Sequence, residues 1–153
     1  MSTIADLLRA EDVKLDLAAT THEAAIDEVT ALLQHDERVL DWSALTAGFR
    51  KGATCLPVSD EFAICIPHAR TDYVADMAMS AGRSAAGVIF PGCAPPVRYV
   101  FCIGVQHALA ADYLRIVGLL ARIVKSPESE LRLRVASSGA EFVETLSRLE
   151  AKL

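Results

Sequence analysis

The chain lacks any apolar run near membrane length: its longest runs, such as Val100 to Val105, fall far short of the roughly 20 residues a spanning helix needs. Residues Met1 to Asp12 lack the basic-then-apolar layout of a secretory leader, so a cytoplasmic location without membrane insertion is expected. Glycine and proline are sparse, 8 and 6 in 153 residues, and 52% of the chain is apolar, which excludes collagen and disorder. Basic residues do not predominate. Fifteen Lys plus Arg against 20 Asp plus Glu leave a net charge of -5, and no basic run is interleaved with aromatics, so nucleic acid is not an expected partner. A partner with a basic face suits this charge better. The 4 cysteines include no C-x-x-C pair, and in a cytosolic chain Cys55, Cys65, Cys93 and Cys102 read as small buried hydrophobes rather than disulfides. Absent too are the Gly-x-Ser-x-Gly elbow, the Walker loop and Gly-x-Gly-x-x-Gly, which removes the commonest hydrolase, nucleotide and dinucleotide readings.

What is there is enough apolar residue for one core, and a chain of this length buries roughly 68–70% of the surface it exposes when unfolded. Ile4, Leu7 and Leu8 predict a short opening helix, and Val13, Leu15 and Leu17 alternate with Lys14 and Asp16 as a half-buried strand does. Thr20 with Glu23 reads as a capping box before a helix ending near His35. Residues Asp41 to Phe49 predict a second helix that Gly52 closes. Strands are expected over Phe62 to Ile66, stopped by Pro67, then Met77 to Gly82, Gly87 to Phe90 and Val97 to Val105. The last is apolar enough to be covered on both faces. Asp112 leads an apolar, deeply packed helix over Tyr113 to Val124; Ser126 with Pro127 starts another, and Ser138 with Glu141 caps the last. This alternation predicts an α/β, three-layer domain around a mixed, mostly parallel sheet with helices on both faces.

Among the four histidines, His22 and His35 sit at helix ends and His107 in a loop, whereas His68 follows an apolar strand and a proline, at the sheet edge where open α/β folds place their ligands. A neutral imidazole is nucleophilic near pH 7 without first losing a proton, which suits it to carrying a phosphoryl group. Such a carrier needs charge and hydrogen-bond donors around the phosphoryl oxygens; Arg50, Thr54, Ser59 and Arg70 are near in sequence. Two other readings stand beside this one: a loop histidine bonded to backbone, and a metal site of Cys65, His68 and His107. The latter lacks a second paired ligand set, so no metal is expected.

The segment Phe62 to Arg70, Phe-Ala-Ile-Cys-Ile-Pro-His-Ala-Arg, resembles the active-site signature of the enzyme IIA domains of the phosphoenolpyruvate-dependent sugar phosphotransferase system, of the fructose/mannitol/nitrogen-regulatory type. In that family the phosphorylated histidine of an Ala-Ile-Pro-His-like stretch corresponds to His68. The family's arginine followed by a serine or threonine corresponds to Arg50 and Thr54 within Phe49 to Thr54. Its downstream strand and Leu-Ala-Arg helix resemble Val97 to Val105 and Tyr113 to Ile123. The whole chain, 1–153, then reads as one IIA-like domain.

The resemblance implies a cytoplasmic phosphotransferase: His68 accepts a phosphoryl group from phospho-HPr and passes it to a IIB protein in sugar uptake, with no cofactor. Arg50 compensates phosphate charge, Thr54 gives a hydroxyl, and Arg70 is a further donor. Two departures are present. Pro57 to Glu61 replaces a glycine-rich run and puts Asp60 and Glu61 near an incoming phosphoryl group, and Tyr113 stands where some members have a second histidine. A tyrosine donates a hydrogen bond but carries no positive charge; His107, six residues earlier, either substitutes or belongs to an exposed loop. Two alternatives follow: a nitrogen-type regulatory module in which phosphorylation of His68 switches protein partners, or a relative that keeps the fold but transfers nothing.

Overall fold

Two side-chain periods, near 3.6 and near 2, resolve into a definite order in the computed structural model, which describes residues 2–70 and 72–153 apart from the side chain of Arg70. The order is α1 (Ile4–Leu7), β1 (Leu8–Lys14), α2 (His22–Thr30), α3 (Trp42–Lys51), β2 (Ala53–Pro57), β3 (Ala63–Arg70), β4 (Ala78–Val88), β5 (Val97–Val105), α4 (Ala110–Lys125), α5 (Pro127–Arg134) and α6 (Gly139–Ala151). Among the described residues the strands form one sheet in the order β1-β4-β5-β3-β2. The sheet is mixed as expected but not mostly parallel: β1–β4 and β3–β5 run parallel, and β4–β5 and β2–β3 antiparallel. No helix among the described residues is long and apolar enough to cross a membrane.

Strand alternation divides the core. Ile64, Ile66, Tyr99, Phe101 and Ile103 pack beneath α4 and α6, while Cys65, Ala69, Val100 and Cys102 pack beneath α2 and α3. All of β5 except Arg98 is buried, as a strand covered on both faces requires. Helix ends follow local chemistry. Asp41 accepts from the Ala44 amide at the head of α3, and Gly52 ends that helix; Ser126 and Ser138 cap α5 and α6. The Glu141 carboxylate bonds Ser137 rather than completing a box with Ser138.

Several expectations are corrected. The α2 cap is Thr21, whose hydroxyl accepts from Ala24, not Thr20. The first strand lies earlier than expected, because Arg9 and Asp12 are paired with Glu37 and Arg38 and tolerate strand positions, whereas the Leu17 amide bonds the Arg83 carbonyl outside the ladder. The two strands expected over Met77 to Gly82 and Gly87 to Phe90 are one, β4, with an irregularity between Arg83 and Val88. α4 is packed on one side only, leaving Leu114 65% exposed.

Pro67 does not stop β3. The His68 amide bonds the Gly52 carbonyl at 3.2 Å on the β2 side, so by alternation the donor missing at Pro67 belongs to the β5 side. The β3–β5 register nevertheless continues from Cys65↔Val100 to His68↔Ile103, and the strand absorbs one absent bond.

The cysteines also depart from expectation. Cys65 and Cys102 are free and buried, but Cys55 on β2 and Cys93 in the β4–β5 connection form a disulfide, their Cα atoms 6.2 Å apart and 38 residues apart in sequence. No local spacing signals a pair so distant along the chain. Burial pushes the Cys65 thiol up to about 12 and Cys102 higher still, so both are protonated at neutral pH.

A buried ionic cluster joins the starts of β1 and β4. Arg38 bonds Asp36 at 2.6 Å and lies 3.5 Å from Asp12, and it donates to the carbonyls of Leu7 and Met77. Arg38 holds Asp36 well below the usual carboxylate range, whereas burial and the neighbouring Asp36 hold Asp12 above it.

Two outcomes are expected. Asp12 retains in the folded state a proton that the unfolded chain has released, so stability falls as pH rises from about 4 to neutrality. Asp12→Asn flattens that fall in urea titrations at about pH 5 and about pH 7.5; parallel curves for the two proteins contradict it. Loss of the disulfide through Cys93→Ser lowers unfolding free energy by about 2–4 kcal/mol, and reductant added to the wild type reproduces the loss in thermal melts.

Candidate active site

The site begins with the end of β3. Residues 64, 66 and 68 share the face turned to α4, so His68 continues the apolar row of Ile64 and Ile66 past the packed core. Its ring Nδ1 lies 3.1 Å from the Ile66 carbonyl oxygen. A carbonyl only accepts, so Nδ1 carries the proton and Nε2 keeps its lone pair. The Tyr113 ring lies against the imidazole, centroids 5.5 Å apart at 35°. Burial raises the Tyr113 hydroxyl above its usual range, so it stays neutral and serves as a donor.

A cavity of about 500 Å³ opens over His68. The end of α3 gives one wall through Gly48, Lys51 and Gly52; the other comes from His107, Ala110, Tyr113 and Leu114 at the start of α4. No carboxylate is among the described lining residues. α4 begins here with Leu109 at its cap and no side chain bonded to its first amides, so the positive end of a 16-residue helix borders the cavity. Asp112 in that first turn is engaged elsewhere, accepting from the Ser2 amide and from Arg115.

The residues named from sequence divide. His68 and Tyr113 meet at the cavity. Thr54 faces the same side, opposite Ile66 and so one diagonal step from His68, but does not line the cavity. Arg50 is not brought to the site: its Nε bonds Asp27 on α2 at 2.9 Å. At about 100° per residue, Gly48, Lys51 and Gly52 share one side of α3, and Arg50 points roughly 150° away from it. The side chain of Arg70 lies outside the described structure. Ser59, Asp60 and Glu61 are at the opposite end of the β2–β3 hairpin; seven residues of extended chain separate Glu61 from His68 by about 23 Å, so their charge does not reach the cavity. Cys65 faces the other side of the sheet and cannot join His68 and His107 around an ion. Lys51 was missed and His107 left open; the helical spacing of Lys51 from Gly48 and Gly52 was the available signal.

Residues 6–149 match the family described as the phosphoenolpyruvate-dependent sugar phosphotransferase system, EIIA 2. The chain belongs to that family. This IIA chain is 30% identical over 152 residues to the fructose-specific EIIA component of Haloferax volcanii, covering 97% of this chain and 96% of that one. It is 24% identical to the fructose-specific EIIABC component of Bacillus subtilis, over 95% of this chain and 23% of that longer protein. Among solved structures, the nitrogen regulatory IIA protein of Neisseria meningitidis superposes with a TM-score of 0.78 at 22% identity, covering 94% of this chain and 98% of the other. The mannitol IIA protein of Escherichia coli, solved with phosphorylated mannitol IIB, gives 0.72 at 21% identity over 93% and 99%. At these identities the two structures speak for the fold alone. As a IIA component the chain is a phosphotransferase of a phosphoryl relay in sugar uptake.

Two IIA glycines make a paired test. A Cβ at Gly52 would run into the His68 carbonyl oxygen, while one at Gly118, exposed on α4, meets nothing within 4 Å. Gly52→Ala is expected to destabilise by about 1–3 kcal/mol and to shift the His68 ring resonances. Gly118→Ala gains about 0.5–1 kcal/mol and leaves those resonances in place. Equal effects of the two substitutions on melting and on the ring signals contradict this account of the junction.

Proposed function

We propose that His68 is the phosphoryl acceptor of this IIA protein, taking the group from phospho-HPr in the cytoplasm and giving it to a IIB protein, with residues 1–153 acting as one IIA unit. The observation that carries the reading is the bond from Nδ1 to the Ile66 carbonyl, which leaves Nε2 as the nucleophile beside a cavity without described carboxylates. The Nε2 lone pair attacks phosphorus in line, the P–N bond of the donor imidazole breaks, and the bonding pair returns to the donor ring. Nδ1 keeps its proton, and transfer to IIB repeats the displacement with roles exchanged.

Tyr113 supplies a neutral donor and a flat wall for the ring. The head of α4 and the Lys51 ammonium favour the negative charge of the phosphoryl group. Exposed Leu114, beside the cavity, offers apolar contact to a docking protein. The fructose-specific relatives favour sugar uptake over partner switching.

Incubation with phosphoenolpyruvate, enzyme I and HPr should add one acid-labile, alkali-stable phosphoryl group by intact mass, absent from His68→Ala. Chase of the group onto a IIB protein supports the relay. Retention of the adduct with an altered pull-down supports a switch, and absence of any adduct refutes the assignment of His68.

A further inference from the structure

The phosphoryl group of a phosphohistidine carries a charge near -2 at neutral pH. Against it stand the His68 ring itself, cationic once Nε2 is phosphorylated and Nδ1 keeps its proton, and, from the cavity walls, the Lys51 ammonium, worth one charge, and the partial charge at the head of α4, about one half. Tyr113 contributes a neutral hydroxyl, and Arg50 is turned away to Asp27. One lining group remains that can become cationic. His107 stands immediately before α4, on the wall facing Lys51, and its ring has no hydrogen-bond or ion-pair partner among the described residues; the Lys51 ammonium has none either. The arginines nearest these elements differ: Arg50 is held by Asp27 and Arg115 by Asp112 and Glu150. The charged and titratable groups around His107 are Lys51 from α3, His68 from β3, and Tyr113 and Asp112 from α4, the last occupied by Ser2 and Arg115. An arriving dianion therefore finds two unengaged cation-forming side chains, brought from opposite faces of the sheet.

We infer that Lys51 and His107 form a two-sided clamp for a tetrahedral oxyanion, with the His107 imidazolium as the second full charge that the cavity walls place on the group bound over His68. For the phosphohistidine the inference rests on the carrier reading; for free inorganic phosphate it stands independently. The clamp touches the oxyanion and leaves the acceptor to His68. It supplies in this chain the charge that Tyr113 cannot, from a position outside the α4 helix.

Two measurements separate the inference from the carrier reading. In the first, unphosphorylated protein is titrated with inorganic phosphate while the imidazole resonances of His107 and His68 are followed. Both are expected to shift saturably, and Lys51→Gln or His107→Gln to weaken binding by about tenfold, the size of one lost charge-assisted hydrogen bond. In the second, the equilibrium division of the phosphoryl group between HPr and this protein is read by intact mass. His107→Gln moves it about fivefold or more toward phospho-HPr, and His107→Lys, which restores charge without the ring, brings it back. A variant that merely repacked the loop is not rescued in this way. Phosphate binding that depends on the pair, with no adduct on the wild type, sinks the carrier and keeps the clamp. An adduct whose division is unchanged in His107→Gln, or not restored by His107→Lys, sinks the clamp and keeps the carrier. With neither phosphate response nor adduct, both fall.

Discussion

The bond between the His68 ring and the carbonyl of Ile66 governs the chemistry this fold offers. An imidazole has two nitrogens, and only a fixed acceptor on one decides which lone pair faces outward. Ile66 does so through a backbone carbonyl two residues before the ring, in a strand that runs through Pro67 to Arg70. The sheet tolerates the missing amide because β2 still holds the His68 amide through Gly52.

Around that ring the two helical layers meet. α3 arrives from beneath one face of the sheet and ends at Gly52, close enough to the His68 carbonyl that no side chain fits between them. α4 starts from above the other face, where Tyr113 lies along the imidazole. A cavity bounded by one helix end and one helix start carries charge without a dense cluster of arginines, because the positive end of α4, to which no side chain is bonded, contributes to it. The segment before α1 braces this arrangement: Ser2 bonds Asp112 and Arg115, and Arg115 reaches Glu150 of α6.

Local signals were legible and distant pairings were not. The helix starts at Ser126 and Ser138 and the span of β5 were readable because each depends on residues adjacent in the chain. The Cys55–Cys93 bond and the Arg38 cluster with Asp12 and Asp36 were not, since nothing in a one-dimensional spacing ties such residues together. β1 was misplaced for a related reason: charged residues that suggested solvent are neutralised by partners more than 20 positions away. At the site, the motif and the order of elements point to His68 and Tyr113, whereas Arg50, expected because it matches the family's arginine, is turned to Asp27, and its neighbour Lys51 lines the cavity. Adjacent residues on a helix point about 100° apart, so proximity is a poor guide to direction.

The sequence by itself determined the α/β alternation and the apolar strand segment leading into Ile-Pro-His, because these follow from periodicity and from one local motif. Only the tertiary structure decided which ring nitrogen faces the cavity and which cation stands beside it. Those two depend on where a carbonyl, a helix end and a distant aspartate come to lie in space. The free energy of placing a charge is set by the groups within a few ångströms of it, and the chain order does not record that distance.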